Sequence, residues 1–238
     1  MSLQFFFSQH IAQAESELVL SEETSKHIMQ VLRMKKGGQL RLTDGKGNLF
    51  TVEITNDNRK KCAVTIIEKS EIQNQKSAII IAISPVKNTS RFEWFLEKAT
   101  EIGVTAIVPL LCERTEKQHL KWDRMQGILV SAMLQSQQAW LPVLHEPIKL
   151  TKYLSDLNAT PFLHKMIAHC EEEHNKQSLY KLAGTTAAQI ILIGPEGDFT
   201  KQEIEFALQN GCVAVSLGNT RLRTETAGIV AATLMCNL

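Results

Sequence analysis

The hydrophobic and polar positions change their pattern partway along the chain. Up to residue 72, short runs alternate apolar and polar residues or are rich in β-branched residues, as half-buried strands are. The turn sequence DGKGN (44–48) predicts a hairpin, because glycine and asparagine adopt positive φ at low cost. This part is therefore predicted to be mainly β-sheet, with four strands at FFFS (5–8), QLRLTD (39–44), LFTVEIT (49–55) and CAVTIIEK (62–69).

One helix is predicted within this β-rich part, over SEETSKHIMQVLR (21–33). Ser21 stands at the N-cap position, where a serine oxygen accepts hydrogen bonds from the first backbone N–H groups of a helix. The spacing of the apolar residues predicts one buried stripe. Its members are Ile28, Val31 and Leu32.

From Ala78 onward, strands and helices alternate, which predicts an α/β domain whose parallel sheet is covered on both faces. The polar stretch 71–77 is predicted to be a linker, so the domains are predicted at 1–72 and 73–238. One helix has clear end signals, namely a capping box of Thr200 and Glu203. The strands are predicted at 78–84, 105–113, 159–170, 188–194 and 213–218, and the helices at 91–104, 124–138, 200–211 and 225–235.

The composition is that of an ordinary soluble globular protein, with 44% hydrophobic and 21% charged residues. No apolar run reaches the roughly 18–20 residues that span a bilayer, and the N-terminus lacks the basic region of a signal peptide. The 5 cysteines form no CxxC pair. They therefore predict reduced thiols in a cytoplasmic protein, without a zinc or other metal site.

The positive charge is concentrated in one early segment. Residues 26–61 contain 9 lysines and arginines against 3 acidic residues, whereas from Lys76 onward the 16 basic residues match 16 acidic ones. Such a concentration predicts that the first domain binds phosphates. A solvated basic face without a partner is the alternative.

Three predicted strands of the α/β domain are followed by unusual loops. Ligands of parallel sheets bind at the carboxyl ends of the strands, in the loops that lead to the next helices. Neither glycine-containing loop fits the dinucleotide motif or the P-loop motif, which counts against NAD and ATP. The three segments are FLHKMIAHCEE (162–172), IGPEGDFT (193–200) and LGNTRLRTETAG (217–228).

IGPEGDFT, followed about twenty residues later by LGNTRLRTETA, closely resembles the paired signature of the RsmE family, the 16S ribosomal RNA (uracil-N3)-methyltransferases. The similarity extends along nearly the whole chain. HIMQVLRMKKGG (27–38) resembles the N-terminal RNA-binding motif of this family, and EKATEIGV (97–104) and ER (113–114) resemble its central motifs.

The resemblance implies a SPOUT-type α/β domain with a trefoil-knotted parallel sheet, preceded by a PUA-like β-barrel. It also implies a cytoplasmic homodimer that uses S-adenosylmethionine to methylate N3 of the uridine conventionally numbered 1498 in the 16S rRNA of the small ribosomal subunit. The implied RNA-binding residues are His27, Arg33, Lys35, Lys36 and Arg41. The implied cofactor-binding residues are Leu163, His164, Ile193, Gly194, Pro195, Glu196, Gly197, Leu217, Gly218, Leu222, Arg223, Thr224 and Ala227.

Methylation of uracil N3 requires the loss of its proton and stabilisation of the negative charge that develops on O2 and O4. Arg223 is predicted to stabilise this charge, because a guanidinium is always charged and offers several donors. Glu225 is predicted either to act as the base or to cap the helix that follows. Arg221 and His164 are further catalytic candidates.

The chain departs from the pattern of the family at two places. Asp198 stands where the family usually has a second glycine, and aspartate tolerates the left-handed region better than most residues. Leu134, Gln137 and Gln138 replace the Glu, Gly and Arg of the A-x-E-Q-S-G-R pattern. Two alternatives therefore stay open, namely a SPOUT methyltransferase with a different rRNA or tRNA target, and a non-catalytic RNA-binding factor in ribosome assembly.

Overall fold

The computed structural model describes residues 3–13, 16–72, 78–158, 163–172, 175–183 and 188–237. The chain forms two compact units. The first comprises Met1–Gln75 and Met133–Leu141, and the second comprises Lys76–Ala132 and Pro142–Leu238. Residues 73–77 of the predicted linker lie outside the described residues, and the predicted division after residue 72 stays a prediction.

The first unit contains a five-stranded sheet in the order β1-β3-β4-β5-β2. β1 is parallel to β3, and the other pairs are antiparallel. The four predicted strands are confirmed. β2 was not predicted. The strands are β1 (Phe5–Phe7), β2 (Glu17–Val19), β3 (Gln39–Thr43), β4 (Asn48–Asn56) and β5 (Ala63–Glu71).

The predicted helix is shorter and less regular than its sequence suggests. Helix α1 (Glu22–Lys26) begins at Ser21, whose Oγ accepts a hydrogen bond from Thr24 N at 3.2 Å, as predicted. A single π-helical turn (His27–Val31) follows, in which Leu32 N donates to His27 O at 3.0 Å. Ile28 is buried as predicted, but Val31 is 69% exposed. The predicted stripe is wrong at Val31, because the wider turn changes the spacing of the side chains.

The second unit contains an eight-stranded sheet in the order β11-β13-β10-β12-β6-β7-β8, with β9 also paired to β7. Every pair is parallel, so the predicted α/β class is confirmed. The trefoil knot stays a prediction. The elements are β6 (Ile79–Ile83), α2 (Thr89–Ile102), β7 (Ala106–Leu111), α3 (Trp122–Gln135), β8 (Val143–Leu144), β9 (Ile148–Lys149), α4 (Leu150–Leu157), β10 (His164–Ala168), β11 (Gln177–Ser178), α5 (Leu179–Leu182), β12 (Gln189–Ile193), α6 (Lys201–Gln209), β13 (Val213–Ser216) and α7 (Thr224–Asn237).

Two predicted helices of the second unit have the end signals that their residues predict, whereas α4 and α5 were not predicted. The capping box of α6 is present in full, with both reciprocal hydrogen bonds between Thr200 and Glu203. Helix α2 ends at Gly103, whose φ of 100° lies in the left-handed region that glycine adopts without strain. None of the helices in the described ranges is long and apolar enough to cross a membrane.

The register of the central strands brings three loops to one edge of the sheet. β12 is buried along its whole length and lies between β10 and β6. Its last residue, Ile193, is opposite Ala168 at the end of β10, and Ala168 is also opposite Val215 near the end of β13. The loops after β10, β12 and β13 therefore start side by side.

Candidate active site

The three loops surround a cavity of about 820 Å³ at the carboxyl ends of β10, β12 and β13. Two of the loops, after β12 and β13, are those that contain the glycine-rich segments. The predicted catalytic residues Arg223 and Glu225 both line this cavity. So do 9 of the predicted cofactor-binding residues, namely Ile193, Pro195, Glu196, Leu217, Gly218, Leu222, Arg223, Thr224 and Ala227.

Leu163 and His164 are not among the described residues that line the cavity. His164 begins β10 and lies opposite Gln189, the first residue of β12, so both residues lie at the amino edge of the sheet. Leu163 packs there against a hydrophobic core. The third wall of the cavity is formed instead by Ala168, His169 and Cys170, at the carboxyl end of β10. The sequence could have indicated this wall, because the apolar run of the predicted strand continues to Ala168 and so places the carboxyl end of the strand there.

The two glycines of the loop after β12 act on the cavity indirectly, through the residues against which they pack. A Cβ atom at Gly194 would lie 3.1 Å from both Phe199 N and a carbon of the Phe199 ring. A Cβ at Gly197 would lie 3.3 Å from Arg114 Cδ, and Gly197 O accepts a hydrogen bond from Arg114 Nη1 at 2.6 Å. Neither glycine belongs to the described lining of the cavity. Their lack of a side chain lets the loop pack tightly on Phe199 and Arg114.

The loop after β13 is held at both of its ends. At the strand end, Ser216 Oγ donates to Gly218 O at 2.9 Å, and Gly218 adopts a φ of 149°. At the helix end, Thr224 Oγ1 donates to Gly194 O at 3.1 Å, which joins the start of α7 to the loop after β12. Ala227 N donates to Arg223 O at 2.8 Å, so the backbone of Arg223 is already part of the first helical turn.

Charged side chains of both signs line the cavity. One ion pair lies in its lining, where Arg91 Nε is 3.7 Å from Glu225 Oε1 and Glu225 is only 7% exposed. Arg91 comes from the first turn of α2 and was not predicted as a site residue. Its position after β6, which is paired with β12, is the signal that points to it. The lining cations are Arg91, Lys176, Arg221 and Arg223, and the lining carboxylates are Glu172, Glu196, Asp198 and Glu225.

The thiol of Cys170 is the one cysteine side chain among the described residues lining this cavity. Partial burial raises the pKa of Cys170, and the negative charge of Asp198 raises it further. A thiol with a raised pKa is mainly protonated at neutral pH, and a protonated thiol is a poor nucleophile. Covalent catalysis by Cys170 is therefore not favoured.

The predicted RNA-binding side chains lie on the surface of the first unit. We call the set His27, Arg33, Lys35, Lys36 and Arg41 the basic surface. All 5 of its residues are exposed. The His27 ring packs edge-on against Phe6, with ring centroids 5.7 Å apart, and Arg33 adopts a left-handed φ of 54°. Within the described ranges, no salt bridge joins these residues to a carboxylate.

Two family models match the chain. Residues 73–236 match the RNA methyltransferase domain, and residues 20–67 match the RNA methyltransferase PUA domain. The matched ranges correspond to the sheet with the cavity and to most of the sheet with the basic surface.

Curated relatives are similar over nearly the whole chain. The Ribosomal RNA small subunit methyltransferase E of Synechocystis sp. is 32% identical over 222 residues, which cover 91% of this chain and 72% of the relative. The protein of the same name from Bacillus subtilis is 25% identical over 232 residues, covering 94% of this chain and 90% of the relative.

Solved structures share the same fold. A probable rRNA-methyltransferase from Porphyromonas gingivalis is 39% identical, with a TM-score of 0.89 and coverage of 98% of both chains. The Ribosomal RNA small subunit methyltransferase E from Neisseria gonorrhoeae, solved with bound S-adenosyl methionine, is 27% identical. It has a TM-score of 0.85 and coverage of 98% of this chain and 96% of that chain.

Proposed function

We propose that this chain, which belongs to the family of Ribosomal RNA small subunit methyltransferase E, transfers a methyl group from S-adenosylmethionine to 16S ribosomal RNA. The observation that supports this most directly is the cavity of about 820 Å³ where the loops after β10, β12 and β13 meet. A similar fold with bound S-adenosyl methionine is known in the Neisseria protein.

The residues of the cavity fit this cofactor. A volume of this size lies within the range of small-molecule sites in proteins, roughly 300–1,000 Å³. Ile193, Leu217 and Leu222 offer apolar surface for the adenine ring, and the glycine-containing loop after β13 exposes backbone groups for hydrogen bonds. The carboxylate of Glu172 would supply negative charge to the cationic groups of the cofactor. When bound, S-adenosylmethionine supplies an activated methyl group.

Arg223 is proposed to stabilise the uracil as N3 loses its proton. Its side chain is exposed and lines the cavity, whereas its backbone is held by the hydrogen bond from Ala227 N. A guanidinium at this position can donate to O2 or O4 of the base, and its interaction strengthens as negative charge develops there. Much of the remaining acceleration comes from holding the two reactants in the correct orientation.

Glu225 is proposed to orient Arg91 and to stabilise the start of α7, not to act as the base. It is in the first turn of α7, where negative charge interacts favourably with the helix dipole. Its ion pair with Arg91 at 3.7 Å supports the same role.

We further propose N3 of the uridine conventionally numbered 1498 as the target, a homodimer as the active form, and the cytoplasm as the location. The basic surface is proposed to hold the RNA backbone around the target base. Bases in folded RNA must be turned out of their stack before an enzyme reaches them, and contacts to flanking phosphates assist this.

Methyl transfer tests the proposal. Small ribosomal subunits that lack the modification are incubated with the protein and labelled S-adenosylmethionine, and the methylated nucleotide is mapped. We expect N3-methyluridine at a single position of 16S rRNA. Labelling of tRNA or of another ribosomal position would replace the proposed target, and the absence of transfer to any RNA would favour the non-catalytic assembly factor.

A further inference from the structure

Asp198 uses both oxygens of its carboxylate to hold backbone groups. Oδ1 accepts a hydrogen bond from Phe199 N at 2.9 Å, within the loop after β12. Oδ2 accepts one from Cys170 N at 2.8 Å, in the loop after β10. We call the second hydrogen bond the Asp198 bridge. It joins two loops that both line the cavity.

The backbone of Asp198 has a conformation that disfavours most side chains. Its φ is 62°, and its N–H donates to Pro195 O at 2.9 Å, which closes a tight turn. Glycine adopts this conformation without strain, and aspartate does so at a small cost. A glycine here would keep the turn but would leave the N–H of Cys170 without this acceptor. The side chain therefore adds a connection that the turn itself does not need.

We propose that Asp198 is a positioning residue, whose bridge to Cys170 N holds the β10 loop against the β12 loop and so sets the width of the cofactor site. This proposal rests on the proposed function, because it concerns the same cavity. A carboxylate that accepts two backbone N–H groups makes stronger hydrogen bonds than a neutral acceptor does. The bridge thus fixes one wall of the cavity before the cofactor arrives, which reduces the ordering cost of binding.

The test compares two substitutions with a matched control. Asp198→Gly keeps the turn and removes the bridge, and Asp198→Asn keeps only one oxygen as an acceptor. Glu205→Gln removes one exposed carboxylate from α6 and serves as the control for charge. Hydrogen exchange of the Cys170 amide is measured in the protein without cofactor, and the affinity for S-adenosylmethionine is measured by calorimetry.

In Asp198→Gly we expect the Cys170 amide to exchange about tenfold faster and the cofactor Kd to rise about tenfold, the scale of one hydrogen bond to a charged group. Asp198→Asn should give intermediate values, and kcat at saturating cofactor should change by less than about threefold, since a residue that only shapes the site affects KM more than kcat. Glu205→Gln should match the wild type.

If the Cys170 amide of Asp198→Gly exchanged its hydrogen at the wild-type rate, the Asp198 bridge would not protect this amide and the proposal would fail. Faster exchange with an unchanged cofactor Kd would overturn its positioning role. A wild-type protein that binds no S-adenosylmethionine would instead contradict the proposed function, and the exchange measurement separates this outcome from the other two because it needs no cofactor.

Discussion

At the scale of single residues, Arg223 is the side chain on which the proposed chemistry depends most directly. Arg223→Ala should lower single-turnover methyl transfer by roughly 100-fold or more, the effect of losing one preorganised donor to a developing charge. Cofactor affinity should change by less than about tenfold, because the arginine serves the target base. The measurement is the rate of labelled methyl transfer to unmodified small subunits at saturating enzyme.

Arg221 is the matched comparison for Arg223, since both are exposed arginines that line the same cavity. The backbone of Arg223 is anchored by Ala227 N, and Arg221 precedes that helical turn. Arg221→Ala should therefore reduce transfer by a smaller factor. Full activity of Arg223→Ala would remove the proposed role of this residue.

Gly194 affects the cavity through Phe199, the residue against which it packs. Gly194→Val should weaken cofactor binding and lower the free energy of unfolding by about 1–3 kcal/mol, because the added atoms overlap with Phe199 and displace the loop. Gly127→Ala in α3 is the control: nothing lies within 4 Å of its Cβ, so it should leave cofactor binding unchanged and be neutral or slightly stabilising. Calorimetry and thermal unfolding check both. Unchanged stability of Gly194→Val would contradict the tight packing on Phe199.

At the scale of elements, an ion pair joins α2 to α3. Arg124 Nη2 donates to Glu93 Oε2 at 2.8 Å. This hydrogen bond holds the pKa of Glu93 below its ordinary value of 4.5. An acid with a lowered pKa in the folded state stabilises the fold above its unfolded pKa, and this contribution disappears as the pH falls through the folded value.

Glu93→Gln should therefore be less stable than the wild type at pH 7, by less than about 1 kcal/mol because Arg124 is 63% exposed and solvent screens the pair. The two proteins should become equally stable as the pH falls below the lowered pKa of Glu93. Urea unfolding at several pH values is the measurement, with Glu205→Gln as the control. A difference in the free energy of unfolding that increased toward acidic pH would contradict this prediction.

At the scale of the whole molecule, the net charge is only +1, but the excess of basic residues is concentrated in residues 26–61. Replacing Arg33, Lys35 and Lys36 with glutamine should weaken RNA binding and flatten its salt dependence, because each neutralised phosphate releases counterions. The slope of log affinity against log salt should fall by roughly 0.7–0.9 for each phosphate that the variant no longer neutralises. Affinity for S-adenosylmethionine should stay the same.

The control for this variant replaces three exposed lysines of the second unit with glutamine, namely Lys121, Lys152 and Lys181. It changes the net charge equally and should retain most of the RNA affinity and the salt slope. Salt titrations of RNA binding compare the two proteins. Equal losses in both would indicate a general effect of charge and would contradict a specific role of the basic surface.

Local signals in the sequence predicted the class of the fold and the loops that form the site, whereas the cofactor was implied only by the resemblance to a known family. The local signals are the alternation of strands and helices, the capping box of Thr200 and Glu203, and the glycine-containing loops at two strand ends. Asp198 and Gln137 stand where the resemblance to the family implies glycine, and both adopt the positive φ that glycine favours. Each of these signals is read within a few neighbouring residues.

Contacts between distant parts of the chain set which side of each loop faces the cavity. In the folded chain, Gly194 packs against Phe199, and Arg91 lies beside Glu225. Leu163 and His164 lie outside the lining of the cavity. Asp198 is joined to Cys170 across 28 positions of the chain. No periodicity within one segment encodes such contacts, because they arise only when the register of the parallel strands aligns the ends of β10, β12 and β13.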